Sequence, residues 1–90
     1  MAKYISIANL VYGTREKFGL SHEFFGILFG VTRQTVAAWE KGNSEPRRDT
    51  VEMIKALATI KRPPDPEDVR RELILNGPAY AWRVLLNALE

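Results

Sequence analysis

Residues 15–57 read REKFGLSHEFFGILFGVTRQTVAAWEKGNSEPRRDTVEMIKAL, and this stretch sets the architecture of the chain. Ser21 is a good N-cap for a helix that closes at Gly30. Its third helical position is Phe24 and not Glu, so the reciprocal capping box is absent. Thr32 caps the next helix, which runs past Trp39 to residue 41 and stops at Gly42. Two helices that cross at a wide angle need a tight corner, and Gly30 can take the left-handed conformation a corner requires. Asn43 to Pro46 form a loop, after which Asp49 or Thr50 opens a helix with Val51, Ile54 and Leu57 inward.

Outward from this centre the chain stays helical. Residues from about 4 to 18 carry Ile5, Ala8, Val11 and Tyr12 at helical spacing, with Gly19 as a stop. The helix opened at Asp49 or Thr50 carries Lys61 and Arg62 in its last turn, where cations suit the dipole, and Pro63-Pro64 end it. Asp65 caps a fifth helix, with Pro66 at its first position, Glu67 and Asp68 in its first turn, and Val69, Leu73 and Ile74 as its apolar residues. It closes at Asn76-Gly77. Pro78 starts a sixth helix with Tyr80, Trp82, Leu85, Leu86 and Leu89 close to one stripe. No segment alternates with the period of a strand. The fold class is therefore all-α.

Composition limits the function. Ninety residues supply one core. There is no cysteine, which excludes disulfides and thiolate catalysis and fits a reducing cytoplasm. His22 is the one histidine, so no multi-histidine metal site exists and no nucleophile is arranged beside it. The acids Glu67, Asp68 and Glu72 follow the preference of a helix start and do not form a metal cluster. No enzyme, cofactor or metal is expected. No leader peptide or membrane span is read in the sequence, and a cytoplasmic location is expected. Residues 1–48 hold seven Lys/Arg against four acids, and residues 49–90 hold six against seven. The basic first half points to a polyanion partner.

The order Gly19-Leu20-Ser21, Gly30-Val31-Thr32, Gln34-Thr35-Val36, Trp39-Glu40-Lys41-Gly42 and Pro46 resembles the helix-turn-helix domain of the Cro and lambda-repressor (XRE) family. The resemblance covers about half the chain. It implies a bundle of four to five helices over residues 1–62, with residues 63–90 as a helical extension for dimerisation or for covering the core. It implies a sequence-specific transcriptional regulator, a repressor, whose third helix enters the major groove of an operator. Val36 and Trp39 face the core together, leaving Arg33, Gln34, Ala37 and Ala38 for base edges. Arg reads guanine, Gln reads adenine, and an alanine methyl touches the thymine methyl. Phosphate contacts are expected from His22, Thr32, Thr35, Lys41, Asn43, Arg47 and Arg48. Arg15 and Glu40 match a structural ion pair between the first and third helices.

Two stretches depart from that pattern. Phe24, Phe25, Ile27, Leu28 and Phe29 leave the second helix no polar side, so both of its faces need cover. The expected cover is the extension, from the same chain or a second subunit; a toxin or antirepressor is the alternative, as in an antitoxin that autoregulates its operon, and a helix-turn-helix fold used only for protein binding is the further alternative. Because one short helix reads too few base pairs, a homodimer is expected, with half-sites roughly 34 Å apart. Tyr80, Trp82, Leu85, Leu86 and Leu89 are the expected dimer or partner surface.

Overall fold

A computed structural model describes residues 6–88. They form α1 (Ile7–Lys17), α2 (His22–Phe29), α3 (Arg33–Lys41), α4 (Arg48–Ala58), α5 (Pro66–Leu75) and α6 (Pro78–Asn87), with no strand among the described residues. The fold is an all-α helix-turn-helix bundle.

Local chemistry accounts for most helix ends. The Ser6 hydroxyl accepts from the Asn9 amide, so α1 begins at Ile7; Ile5 lies outside the described residues. Ser21 accepts from the Phe24 amide and Thr32 from the Thr35 amide, each satisfying an amide with no partner inside its helix. Gly30 ends α2 at φ 73°, and the Val31 amide returns to the Gly26 carbonyl at 2.8 Å. That pair of residues makes the corner between α2 and α3. Asp65 accepts from the Glu67 amide ahead of Pro66 and opens α5 as its sequence predicts.

Three local expectations are corrected. The chain enters α4 at Arg48, with Arg47 as an N-cap whose side chain makes no capping hydrogen bond; Asp49 sits inside the first turn and accepts from the Thr50 amide. α4 also ends earlier, at Ala58, because buried Ile60 turns into the core and carries the chain off the helix axis. Lys61 and Arg62 therefore lie beyond the last turn. Its terminal carbonyl is met instead by Lys17 of α1, whose Nζ donates to Ala58 O at 2.8 Å. Tyr12 faces solvent, where the Arg15 guanidinium lies 5.5 Å from the centre of its ring, and Leu10, Val11 and Thr14 turn inward in its place.

α1 packs on α3 and α4, and α2 packs on α3 on one side and on α5 and α6 on the other. One buried cluster runs from Val11 of α1 to Leu85 of α6 and takes in Phe18, Phe25, Val36, Ile54 and Ile60. Trp82 fixes the extension in place: its Nε1 donates to Leu28 O at 2.9 Å, and its ring meets Phe29 edge-on at 5.3 Å. The cover for the apolar α2 thus comes from the same chain. This corrects the expected partner surface. Leu85 is 0% exposed and Trp82 is half-buried against α2, so neither is free for a second protein. Tyr80 and Leu86 remain exposed, and Leu89 lies outside the described residues.

Candidate nucleic-acid interface

α3 is a two-sided helix. Val36 and Trp39 are buried, while Arg33, Gln34 and Lys41 are exposed on the other side, with Ala37 and Ala38 half-buried between. Residues spaced by four fall on one face, so Arg33, Ala37 and Lys41 form a row with Gln34 and Ala38 beside it. The row is basic at both ends and small in the middle. Such a surface lets another molecule come close to the helix while two long side chains reach past it.

The inner side of α3 is tied to the scaffold. Arg15 Nε donates to Glu40 Oε2 at 2.7 Å and Arg15 Nη2 to Glu40 Oε1 at 3.1 Å, a two-pronged contact. The side chains are only 9% and 10% exposed. Arg15 Nη1 also donates to Leu20 O at 3.0 Å, so one guanidinium holds the α1–α2 corner and the end of α3 together. The hydrogen bond to Glu40 holds the Arg15 pKa above its usual value, against the opposing effect of burial.

His22 is placed differently from a simple phosphate ligand. Its Nε2 lies 3.2 Å from Glu40 Oε1, so the imidazole joins the Arg15–Glu40 pair and is partly turned away from solvent. Nothing in the sequence signals this contact, since the two residues stand on different helices. Thr32 and Thr35 are engaged with each other, Oγ1 to Oγ1 at 3.0 Å, besides the cap. Asn43, Arg47 and Arg48 are exposed in the loop after α3 and the first turn of α4. Arg47 approaches Asp49 at 3.5 Å in an exposed pair. Among the described residues, Arg33, Lys41 and Arg48 pair with no acid. The structure brings together Arg15, His22 and Glu40 under α3 and spreads the basic and amide side chains over its outer face and flanks.

No group of three or more His, Cys, Asp or Glu is placed to hold a metal ion among the described residues. Nor is any described helix long and apolar enough to cross a membrane.

The corner between α2 and α3, and the exposed second helix of that pair, define a helix-turn-helix protein. The chain is similar to YgzD, an uncharacterized HTH-type transcriptional regulator of Bacillus subtilis (strain 168), at 55% identity over 38 residues. Those residues are 42% of this chain and 58% of YgzD, so the match spans less than two-thirds of that protein. No protein-family model matches the chain, and no solved structure matches it.

Proposed function

We propose that this chain is a sequence-specific DNA-binding transcriptional regulator of the Cro and lambda-repressor type, and that it represses by occupying an operator as a dimer. The observation that carries the reading is the outer face of α3. Arg33 and Gln34 stand exposed at its N-terminal end, with Ala37 and Ala38 low enough for a groove to close over them. Helix-turn-helix proteins read base edges with residues near that end of the second helix. Arg33 donates to guanine O6 and N7, Gln34 pairs with adenine N6 and N7, and the alanines meet thymine methyls. Thr32, Thr35, Lys41, Asn43, Arg47 and Arg48 flank the groove as phosphate contacts, which position the helix without reading sequence. His22 can share a phosphate only from the side of its ring turned away from Glu40. Similarity to an HTH-type transcriptional regulator over 38 residues adds support. The antitoxin reading has less, because helices of the same chain cover α2.

The test is selection from a random duplex library with the purified chain at two salt concentrations. Enrichment of a palindrome with half-sites about one turn, roughly 34 Å, apart is the expected result. Binding that is sequence-blind and collapses with salt, or no binding, would remove the operator reading.

A further inference from the structure

His22 is the only histidine of the chain, the first residue of α2, and half-buried where it reaches Glu40 of α3. The geometry fixes which of its nitrogens carries the proton. Glu40 Oε2 accepts from Arg15 Nε at 2.7 Å, and Glu40 Oε1 accepts from Arg15 Nη2 at 3.1 Å. A guanidinium keeps its protons, so both oxygens are acceptors and the group is a carboxylate. His22 Nε2, 3.2 Å from Oε1, is therefore the donor. In a neutral ring the other nitrogen, Nδ1, is then an acceptor only. The two nitrogens of an imidazole point in diverging directions, so Nδ1 is aimed away from Glu40. Among the described residues the bond to Glu40 is the one hydrogen bond of the His22 side chain.

A DNA phosphate is also an acceptor and has no proton to give Nδ1. The neutral ring can satisfy Glu40 or a phosphate, and not both. The protonated ring carries two N–H donors for two anions. We propose that His22 takes up a proton when the chain binds DNA, giving Nε2–H to the Glu40 carboxylate and Nδ1–H to a backbone phosphate, so that operator affinity rises as pH falls. The inference rests on the DNA-binding reading above and adds a proton to it. The charges around the ring oppose one another in the free chain. Glu40 of α3 favours the cation, and Glu23 stands next to the histidine on α2. Arg15 of α1 behind Glu40, Lys41 beside Glu40 on α3, and the amide end of α2 itself disfavour it. So does Arg70 of α5, which donates to Gly19 O just ahead of α2. Arg83 of α6 is held over the Tyr80 ring. A phosphate adds an anion to this balance and tips it toward the protonated ring.

Fluorescence anisotropy on the operator recovered by library selection, from about pH 8 to about pH 6, tests this. The wild type is expected to bind at least roughly fivefold more tightly at the acid end. Its salt slope there is expected to steepen by roughly 0.9, the value of one added phosphate contact. His22→Gln keeps an N–H donor but does not titrate, and it is expected to flatten both effects with the helical circular dichroism unchanged. Proton NMR of the wild type reads the single imidazole directly and needs no substitution. The pH at which its Cε1–H resonance moves is expected to be higher with operator bound than without. Equal pH profiles for wild type and His22→Gln overturn the proposal. So does a ring that titrates at the same pH free and bound, the behaviour of a histidine that only braces Glu40. Both of those results leave operator selection standing. A chain that selects no operator defeats the DNA-binding reading, and the coupled proton falls with it.

Discussion

At Gly26 a single methyl group decides whether α2 and α3 can meet. A Cβ built there would lie 2.5 Å from the Val31 carbonyl oxygen and 3.2 Å from the Thr32 carbonyl carbon. Both are backbone atoms of the corner and cannot rotate aside. Overpacking of this kind costs up to about 3 kcal/mol, and alanine's better helix propensity returns about 1 kcal/mol. Gly26→Ala is therefore expected to lose about 2 kcal/mol in urea unfolding, and an unchanged midpoint would mean that the corner opens freely. The reading residues should behave in the opposite way. Arg33 and Gln34 are exposed, so either alanine substitution should leave stability within about 0.5 kcal/mol. Each should instead cost about 1–3 kcal/mol of discrimination at one base pair, measured by fluorescence anisotropy on matched and substituted operators. Unchanged operator affinity in both variants would remove α3 as the reading helix. Residue-scale features were legible where their cause is local. Ser21, Thr32 and Asp65 cap within three residues of themselves, and their chemistry is written in the sequence. The bond from His22 to Glu40 is tertiary, and no spacing rule points to it.

At the scale of the element, α3 is positioned more by Arg15 than by its own propensity. The guanidinium gives two hydrogen bonds to Glu40 and one to Leu20 O from a site almost closed to water. Removing one partner of such a pair strands the other charge, at about 3–5 kcal/mol. Arg15→Ala is expected to destabilise on that scale in thermal or urea unfolding. Arg15→Met combined with Glu40→Leu should recover much of the loss, because the desolvation cost leaves with the charges. A double variant no better than the single one would show that the pair itself, and not the stranded charge, holds α3. The sign of the pH effect follows from the raised Arg15 pKa. Stability from a raised basic group is complete below its unfolded value and is lost only as pH rises through the folded one. On the arginine side the contribution is therefore flat through neutral pH. Helix existence was legible for all six elements, since each has periodic apolar positions and a cap or breaker nearby. The bounds of α4 were not. Ile60 leaves the helix because the core has a place for it, and Arg47 is set by the chain path after buried Pro46.

For the whole molecule, one buried cluster takes in residues from both the 1–62 and the 63–90 parts of the chain. Sequence periodicity marks the apolar stripe of α6 but cannot say what covers it, because a stripe facing a partner and a stripe facing the same chain have identical spacing. The apolar α2 says only that two neighbours are needed; in the structure α5 and α6 of the same chain pack on it and supply the second. Trp82 and Leu85 are consequently core residues, while the free apolar surface lies at the end of α5, where Ile74 and Leu75 break the inward spacing of Val69 and Leu73. Leu85 is fully enclosed, so Leu85→Ala should lose about 2–5 kcal/mol, by deletion of its methyl groups and the cavity left behind. Domains of this size hold only about 5–15 kcal/mol in total, so one truncation at α6 removes a large share. Ending the chain after Arg62 goes further. It removes Val69, Leu73, Ala81 and Leu85 from the buried cluster, together with the Trp82 bond to Leu28 and the Arg70 bond to Gly19 O. Phe24 and Phe29 would then meet water. The expected outcome for residues 1–62 is a broad, non-cooperative thermal transition with reduced helical circular dichroism and no operator binding at concentrations where the full chain is saturated. A truncated chain that melts cooperatively and still selects a half-site would mean instead that α1–α4 carry their own stability, and that α5 and α6 serve only to cover and to pair.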